Sequence, residues 1–327
     1  MECGGRTLMS IAMGHLKPHI FFHSNIDSPD EWRAALATEF EDFTFSVGRD
    51  LASPESVDVA LIWTLPADGL ERFVNLRAIL SLGAGIDQLD LGRLPKHVPL
   101  ARLVEASLTR TMVDYAKTAV YRYHRRFHFF ERQSQERQWT FISPTVTAET
   151  SVGILGLGEI GREIALTLQR EGFAVHGWSR TPKQLEGVTT YTGRDGLKRM
   201  VGRADIVLNV LPLTGETRQI LCGDLFAQFK DGACLINMGR GAHLVESDLL
   251  DAIASGRIDA ATLDVVSVEP LPRSHPFWNH PNILITPHVA GTSVPMTAVA
   301  TIAANIRRAM AGERLLHQVD LDRTHRT

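Results

Sequence analysis

The sequence predicts an α/β fold with parallel β-sheets in two domains, and three observations lead to this class. Short apolar runs of strand length alternate with segments in which apolar residues recur at helical spacing, which is typical of strand–helix–strand units. A chain of 327 residues corresponds to roughly two domains of ordinary size. Its hydrophobic content of 44% and charged content of 22% are those of a globular protein that buries a substantial core.

The composition argues against several classes of partner. A formal net charge of −3 provides no basic field for nucleic acid or acidic lipid. No apolar stretch reaches the roughly 18 residues of a membrane span. Residues 1–17 lack the apolar block of a signal peptide, and we interpret them as an extension. The three cysteines, Cys3, Cys222 and Cys234, are too far apart to suggest a disulfide framework, which fits a cytoplasmic location.

The first domain begins with a strand at His19–His23. Ser28 followed by Pro29 is typical of a helix start, and we expect that helix to extend to about Phe40. Further strands are expected at residues 43–47, 57–63 and 77–82. Because strands that alternate with helices favour a parallel sheet, this part of the chain is predicted to be a small α/β domain.

Two features at the strand ends of this domain are candidates for ligand contact. Trp63 ends one apolar strand, and Gly83-Ala84-Gly85 ends the next. Ligands of open α/β sheets collect at the carboxyl ends of strands, where free backbone N–H groups can hold an anion. The alternatives are an ordinary rim tryptophan and an ordinary turn.

Residues 107–138 contain neither glycine nor proline, and their apolar residues recur at helical spacing. This pattern predicts one long helix, or two nearly joined, that leads from the first domain to the second. We interpret its basic and aromatic latter half, residues 121–130, as a packing or subunit-contact surface. Residues 141–149 are expected to be irregular.

The second domain is organised around residues 151–161, where a short apolar run enters Gly156-x-Gly158-x-x-Gly161 and a helical pattern follows. Gly156 suits the tight turn, Gly158 allows a pyrophosphate to approach the backbone, and Gly161 allows the helix to pack on its strand. A second apolar run at residues 173–178 completes the strand–helix–strand unit. This unit predicts a dinucleotide at the helix N-terminus. The residues expected to hold it are Gly156, Leu157, Gly158, Glu159, Ile160 and Gly161.

The end of the second strand of this unit indicates which dinucleotide is preferred. Proteins that bind NAD carry an Asp or Glu there, about 20 residues past the glycines, to bond the ribose 2′-hydroxyl. This chain has Ser179 and Arg180 instead, so no carboxylate repels a 2′-phosphate and a guanidinium is available to bind it. We therefore favour NADP(H); a solvated arginine in a loop is the alternative.

Further strands are expected at residues 205–211, 233–238, 260–265 and 283–286, which suits a doubly wound, Rossmann-like sheet. In such a sheet the residues that follow each strand lie along one edge, beside the cofactor. Those residues here are Leu211, Pro212, Arg240, Asp264, Glu269 and His288. A last helical pattern at residues 294–311 does not indicate which domain it packs on.

Three of these side chains suit the reduction of a ketone by hydride transfer. Such a reaction requires a cation on the carbonyl, a proton donor and a carboxylate that orients the donor. Arg240, His288 and Glu269 are candidates for these roles, whereas a turn or strand-cap position is the alternative for each. Asp264 could meet the nicotinamide amide or merely end a strand. Because other histidines of this region, His275 and His280, lack chelating spacing, we expect no metal.

Four motifs in order resemble the D-isomer-specific 2-hydroxyacid dehydrogenase family over the chain from about residue 17. They are Gly-x-Gly-x-x-Gly, Asn237-Met238-Gly239-Arg240-Gly241, Leu263-Asp264-Val265 with Glu269-Pro270-Leu271, and Thr286-Pro287-His288. Three shorter segments most resemble the glyoxylate/hydroxypyruvate reductase A group of that family. These are Trp178-Ser179-Arg180, Leu82-Gly83-Ala84-Gly85-Ile86-Asp87 and His288-Val289-Ala290.

The resemblance implies two Rossmann-like domains with an active-site cleft between them, and usually a homodimer. Residues 17–108 and 292–327 would form a discontinuous substrate-binding domain, and residues 109–291 the dinucleotide-binding domain.

The resemblance also implies roles for particular residues. Arg240 would bind the 2-oxoacid, and His288 would donate the proton with Glu269 as its partner. The amides of Ala84 and Gly85 would hold the substrate carboxylate, and Trp63 would form a wall of the pocket. Glu159 departs from the family pattern, because it puts a carboxylate close to the expected phosphates.

We therefore expect an NADPH-dependent reductase of a small 2-oxoacid, either glyoxylate or hydroxypyruvate. One alternative is another 2-hydroxyacid specificity of the same family with NAD(H). The other alternative, from a different class, is a dinucleotide-sensing regulator that resembles a co-repressor.

Overall fold

The structure is a computed structural model that describes residues 17–48, 51–86, 88–104, 106–291 and 293–320. The chain divides into two compact units, and the first is discontinuous. It comprises Met1–Glu105 and Ser293–Arg326, whereas the second comprises Ala106–Thr292. The assignment of substrate binding to the first unit and of dinucleotide binding to the second stays a prediction. The expected N-terminal extension lies outside the described residues, apart from Lys17.

The first unit contains a five-stranded parallel sheet in the order β2-β1-β3-β4-β5, which is one of the two common doubly wound orders. Its strands are β1 (His19–His23), β2 (Thr44–Val47), β3 (Val59–Ile62), β4 (Ala78–Ser81) and β5 (Leu100–Ala101). The first four are the predicted strands: β1 has the predicted bounds, and β2, β3 and β4 are shorter than predicted by one to three residues. The sequence analysis missed β5, because two residues are too few to show a periodic pattern.

Helix α1 (Pro29–Leu36) begins as predicted and ends early. The Ser28 hydroxyl accepts a hydrogen bond from the Glu31 N–H at 3.4 Å, and Pro29 occupies the first turn. At the other end the Thr38 hydroxyl donates to the Ala35 carbonyl at 2.7 Å. A side-chain bond of this kind competes with continued helix, which explains why the predicted end at Phe40 is wrong.

The second unit contains a seven-stranded parallel sheet in the order β12-β11-β10-β9-β6-β7-β8. Its strands are β6 (Ser151–Leu155), β7 (Ala174–Trp178), β8 (Val188–Tyr191), β9 (Ile206–Asn209), β10 (Ala233–Asn237), β11 (Ile258–Leu263) and β12 (Ile283–Ile285). The order reverses between β6 and β9, as in the dinucleotide-binding Rossmann sheet. The predicted α/β class with two Rossmann-like domains is confirmed, although β8 was not predicted.

The predicted helical region after the first unit is two nearly joined helices, α2 (Ala106–His124) and α3 (Phe127–Gln135). They are separated at Arg126, which adopts the left-handed conformation with φ of 56°. The remaining helices of this unit are α4 (Glu159–Arg170), α5 (Gly193–Val201), α6 (Gly223–Phe226) and α7 (Glu246–Ala254). Residues 141–146 are irregular, as expected, whereas Thr147–Glu149, which were also predicted to be irregular, form a short 3₁₀ helix.

The final helix, α8 (Pro295–Ala311), returns the chain to the first unit. Its buried residues share one hydrophobic core with α1 and with strands β1, β3 and β4. Val299, Ile302 and Ile306 pack in the same cluster as Trp32 and Leu36. The structure thus assigns α8 to a domain, which its sequence pattern alone did not. In the described part of the chain, no helix combines the length and the apolar character that crossing a membrane requires.

Candidate active site

The candidate active-site residues of the second unit lie after successive strands of one parallel sheet, and therefore at one edge of it. The glycine turn follows β6, and Ser179 and Arg180 follow β7. Leu211 and Pro212 follow β9, and Arg240 follows β10. Asp264 and Glu269 follow β11, and His288 follows β12.

The three glycines after β6 have different surroundings. Gly156 adopts φ of +103°, which favours glycine because it has no Cβ. A Cβ added to Gly161 would lie 1.8 Å from the Gly156 carbonyl oxygen, so α4 can pack at this distance only with glycine there. A Cβ added to Gly158 would meet no described atom within 4 Å. Gly156 is therefore required by its backbone conformation and Gly161 by helix packing, whereas Gly158 has open space beside it.

The N-terminus of α4 is not capped by a side chain among the described residues. Its first backbone N–H groups and the positive end of the helix dipole are suited to an anion. The Leu157 side chain is buried against Gly177, so this residue presents only its backbone to the turn. Glu159 is exposed in the first turn, and Ile160 is partly buried.

The turn after β7 holds the two residues expected to select the dinucleotide. Ser179 is buried, and its hydroxyl donates to the Thr181 carbonyl at 2.7 Å. Arg180 is exposed. The serine therefore shapes the turn, while the guanidinium is accessible to a phosphate group.

His288 and Glu269 form a hydrogen-bonded pair, with 2.8 Å between Nδ1 and Oε2. A carboxylate can only accept, so Nδ1 carries the hydrogen and the ring orientation is fixed. The other carboxylate oxygen of Glu269 accepts from the Val266 N–H at 3.2 Å. Burial alone would raise the pKa of Glu269, but the His288 bond and charge, the Val266 N–H and the Arg240 charge more than offset it. The pKa of Glu269 is therefore lowered, and this residue is ionised at neutral pH.

Asp264 fixes the loop that carries His288. Its side chain is 2% exposed, and its oxygens accept from the N–H groups of Val289 and Ala290, each at 2.9 Å, and from the Thr286 hydroxyl at 2.6 Å. The Asp264 carbonyl accepts from the His288 N–H at 2.9 Å. These bonds support His288 in the left-handed conformation, with φ of 54°. The sequence analysis missed this role; contact of Asp264 with a nicotinamide amide stays a prediction.

Tyr115 of α2 extends this arrangement. Its hydroxyl lies 2.7 Å from the Thr286 hydroxyl, and burial raises the pKa of Tyr115 to about 12. The phenol is therefore neutral and can supply a hydrogen to Thr286, whose own hydrogen is directed to Asp264. The spacing of α2 gave no indication of this contact, because Tyr115 matched an ordinary apolar position.

Glycines stand on both sides of Arg240 in the chain. In the structure a Cβ on Gly239 would lie 2.8 Å from Asn209 Nδ2, and a Cβ on Gly241 would lie 1.9 Å from the Val266 carbonyl oxygen. Both glycines are thus packed against the protein itself, and Gly241 places the Arg240 turn directly on the segment that leads to Glu269.

Arg240 is partly buried, and its Nη1 donates to the Gly239 carbonyl at 2.8 Å. Its charge also acts on Glu269 and lowers the pKa of that carboxyl. Because Glu269 bonds His288, the guanidinium, carboxylate and imidazole belong to one electrostatic cluster at the strand ends. This is the arrangement that hydride reduction of a ketone requires.

The remaining candidates lie in the first unit. Trp63 follows β3 and packs on the turn after β4, since a Cβ on Gly83 would lie 2.4 Å from the Trp63 ring. Ala84 and Gly85 are partly exposed in that turn, and Gln88 Nε2 donates to the Gly85 carbonyl at 3.1 Å. The structure therefore brings these three candidates together in one place, while Asp87 of the same motif lies outside the described residues.

Within the described residues, His128, Cys234 and Asp259 form a group of the kind that can hold a metal ion. The Asp259 carboxylate is already bonded to His128 at 2.9 Å, and Arg132 lies 3.7 Å away. Burial raises the pKa of the Cys234 thiol to about 12. A neutral thiol beside a carboxylate already bonded to His128 and close to Arg132 is a poor cation site, so we interpret the group as a clamp between α3 and the sheet.

A doubly wound sheet with a glycine turn after its first strand is typical of proteins that bind dinucleotides, and a His–Glu pair at the same edge suits a dehydrogenase. Comparison with protein families identifies it further. The model of the NAD binding domain of D-isomer specific 2-hydroxyacid dehydrogenases matches residues 118–290. The chain belongs to this family.

Individual relatives are similar over nearly the whole chain. A glyoxylate/hydroxypyruvate reductase A from Yersinia enterocolitica is 37% identical over 93% of this chain and 98% of its own length. A D-isomer specific 2-hydroxyacid dehydrogenase from Xanthobacter autotrophicus Py2, solved with NADPH and MES, is 40% identical with a TM-score of 0.85, covering 94% of this chain and 99% of its own. An NADPH-dependent glyoxylate/hydroxypyruvate reductase from Sinorhizobium meliloti, solved with NADP and sulfate, is 34% identical with a TM-score of 0.84 and the same coverage.

Proposed function

We propose that the protein reduces small 2-oxoacids, with glyoxylate and hydroxypyruvate as substrates, NADPH as reductant and His288 as proton donor. The observation that carries this proposal is the 2.8 Å bond between His288 and Glu269 at the sheet edge where the charge of Arg240 also acts. The names of the relatives support the substrate class.

The chain's residues divide the reaction between them. NADPH, when bound, supplies the hydride to the carbonyl carbon. Arg240 binds the oxoacid and polarises its carbonyl, which places positive charge where the alkoxide develops. His288 gives a proton to that oxygen, and Glu269 keeps the ring oriented and stabilises the imidazolium before transfer. In the first unit, the Ala84 and Gly85 amides hold the substrate carboxylate and Trp63 forms a pocket wall.

The glycine turn and the turn after β7 fit a dinucleotide phosphate. The open side of Gly158 and the N-terminus of α4, which no described side chain caps, suit the pyrophosphate. Exposed Arg180 suits a 2′-phosphate, and Ser179 places no negative charge beside it. Exposed Glu159 can turn toward solvent, so its carboxylate does not block the turn.

Replacing Arg180 by Ala should weaken NADPH binding about tenfold and leave NADH binding nearly unchanged. The size is the lower end for a charge-assisted hydrogen bond, because the side chain is exposed. Dissociation constants for both nucleotides, measured by fluorescence titration, test this. Arg170→Ala, at the far end of α4, is the matched control and should change neither constant. An equal loss for both nucleotides would contradict a role at the 2′-phosphate.

The proposed activity is tested by following NADPH absorbance with glyoxylate, hydroxypyruvate and pyruvate, and by repeating each assay with NADH. We expect turnover of the first two acids with NADPH and a lower kcat/KM with NADH. Higher efficiency with NADH or with another 2-oxoacid would support a different specificity of the same family. Nucleotide binding without turnover of any acid would overturn the enzymatic proposal and favour a dinucleotide-sensing regulator.

We also propose that the protein is a homodimer in the cytoplasm. Helix α3 and the segment that follows it carry several large exposed apolar side chains, which are typical of a contact with another protein chain. They are Phe127, Phe130, Trp139, Phe141 and Val146. Light scattering should give a mass near twice 36.2 kDa, and a mass of one chain would contradict the dimer.

A further inference from the structure

Three polar side chains are completely buried beneath the turn that carries Arg240. Asn209 ends β9, Asn237 ends β10 and His243 follows the Arg240 turn, and each is 0% exposed. We call these three residues the buried triad. Burying polar groups costs free energy unless all of them are hydrogen-bonded, so such a cluster persists only where its bonds fix a particular geometry.

The triad is bonded internally by its amide groups. Asn209 Nδ2 donates to Asn237 Oδ1 and to His243 Nδ1, each at 2.9 Å. These two bonds use both hydrogens of the Asn209 amide. Asn209 is thereby joined to Asn237 and His243, which follow it in the chain by 28 and 34 residues.

The triad also holds the backbone on both sides of Arg240. The Gly239 N–H donates to Asn237 Oδ1 at 3.3 Å, and Asn237 Nδ2 donates to the Arg240 carbonyl at 3.2 Å. The Arg240 N–H donates to His243 Nδ1 at 3.2 Å. The conformation of the Arg240 turn is therefore specified by the triad.

The same residues reach the loop after β9. The Leu211 N–H donates to Asn209 Oδ1 at 3.2 Å, and His243 Nε2 lies 3.2 Å from the Pro212 carbonyl oxygen. Leu211 and Pro212 are the residues that we expect beside the cofactor. The triad thus couples a segment proposed to contact the nucleotide with the turn proposed to bind the oxoacid.

The donors and acceptors determine the state of His243. Its Nδ1 faces two donors, the Arg240 N–H and the Asn209 amide, and must accept from them. Its Nε2 faces a carbonyl and must donate. Only the neutral ring with hydrogen on Nε2 satisfies all three contacts. In an imidazolium, Nδ1 would also carry a hydrogen, and this hydrogen would point at two groups that are themselves donors. His243 therefore connects these segments in a fixed geometry and does not carry a proton.

We propose that His243 is a positioning residue, which holds the Arg240 guanidinium in the register that the reaction requires. The proposal rests on the proposed function, in that Arg240 binds the oxoacid. His243 itself touches the backbone of Arg240 and Pro212, while its effect on the substrate passes through Arg240.

A double-mutant cycle with Arg240→Lys tests this coupling. His243→Leu removes the acceptor and the donor, and should lower kcat/KM for glyoxylate by up to about 100-fold, the size that a displacement of about 1 Å can cause. If His243 acts through Arg240, Arg240→Lys should then cost less than about threefold in the H243L background, although it is costly in the wild type. His243→Asn, which retains an acceptor and a donor, should recover part of the loss.

The matched control is His124→Leu, because His124 is also a buried histidine of the second unit and bonds the Thr150 hydroxyl at 2.9 Å. In that background Arg240→Lys should cost as much as in the wild type. An undiminished cost of Arg240→Lys in H243L would overturn the inference. If H243L fails to fold, the cycle is run with Asn209→Ala, which removes one of the two donors to Nδ1. No effect of Arg240→Lys in the wild type would instead refute the proposed role of Arg240.

Discussion

His288→Ala should lower kcat for glyoxylate by at least about 100-fold, the usual size for loss of a general acid, with little change in NADPH affinity. The reason lies in the geometry of the pair. Glu269 accepts from Nδ1 at 2.8 Å and is ionised, so the ring orientation is fixed and the proton that we propose His288 donates comes from Nε2. Single-turnover measurements of NADPH oxidation separate this chemical step from nucleotide binding.

The chain offers a matched control for that variant. His275 and Glu246 form another imidazole–carboxylate pair in the second unit, with 3.1 Å between Nε2 and Oε2. His275→Ala should leave kcat within about threefold of the wild type, because His275 has no part in the proposed proton transfer. Equal losses in the two variants would show that the effect of His288→Ala is structural, and an unchanged kcat in His288→Ala would refute the role of His288.

Glu269→Gln separates orientation of the ring from stabilisation of its charge. Because the pKa of Glu269 is lowered, the carboxylate is fully charged from neutral pH upward. The amide retains a hydrogen-bond acceptor but does not stabilise an imidazolium. The loss of activity at alkaline pH should therefore begin at lower pH in this variant, and an unchanged pH profile would contradict that part of the mechanism.

Arg240→Ala should lower kcat/KM for glyoxylate by about 100-fold to 1,000-fold, the range seen when a single group that stabilises developing negative charge is removed. The guanidinium supplies both charge and a planar set of donors, so Arg240→Lys should recover only part of the loss. Steady-state kinetics at saturating NADPH measure this effect, with Arg257→Ala as the control. Arg257 belongs to the same unit and donates to the Phe229 carbonyl.

We expect Arg240→Ala to change the kinetic constants for the oxoacid and not the affinity for NADPH. The KM for glyoxylate should rise and kcat should fall, whereas the dissociation constant for NADPH should stay within about threefold of the wild type. If glyoxylate kinetics were unchanged, Arg240 would be a turn residue with a solvated side chain, as the alternative interpretation of the sequence holds.

The parts of the site that the sequence predicted are local. The glycine turn depends on three positions within six residues, and each of these glycines has surroundings that suit its predicted place. The positions of Arg240 and His288 at strand ends were predictable because each stands three residues after the last residue of a strand with a clear apolar pattern. The edge strands β5 and β8 were missed because neither shows a clear apolar pattern. Strand β5 has only two residues, and two of the four residues of β8 are threonines.

The parts that the sequence did not predict depend on contacts between distant residues. The sequence analysis assigned no role to Asn209 or His243, and only the structure shows their amide and ring bonded at 2.9 Å. Tyr115 lies 171 residues before Thr286, its hydrogen-bond partner. A polar residue that ends an otherwise apolar strand, as Asn209 and Asn237 do, was the one signal that could have indicated a buried network.

The composition of the first unit from both ends of the chain has a consequence for biosynthesis. Helix α8 is the last helix of the described chain to be synthesised. Its residues Val299, Ile302 and Ile306 nevertheless belong to the same core as Trp32. During translation the core of the five-stranded sheet therefore stays incomplete until the second unit has been synthesised. The second unit can fold in the meantime. The incomplete core of the first unit would thus be accessible to chaperones during most of synthesis. Premature termination before residue 295 would leave the first unit without α8, whereas the second unit would be complete.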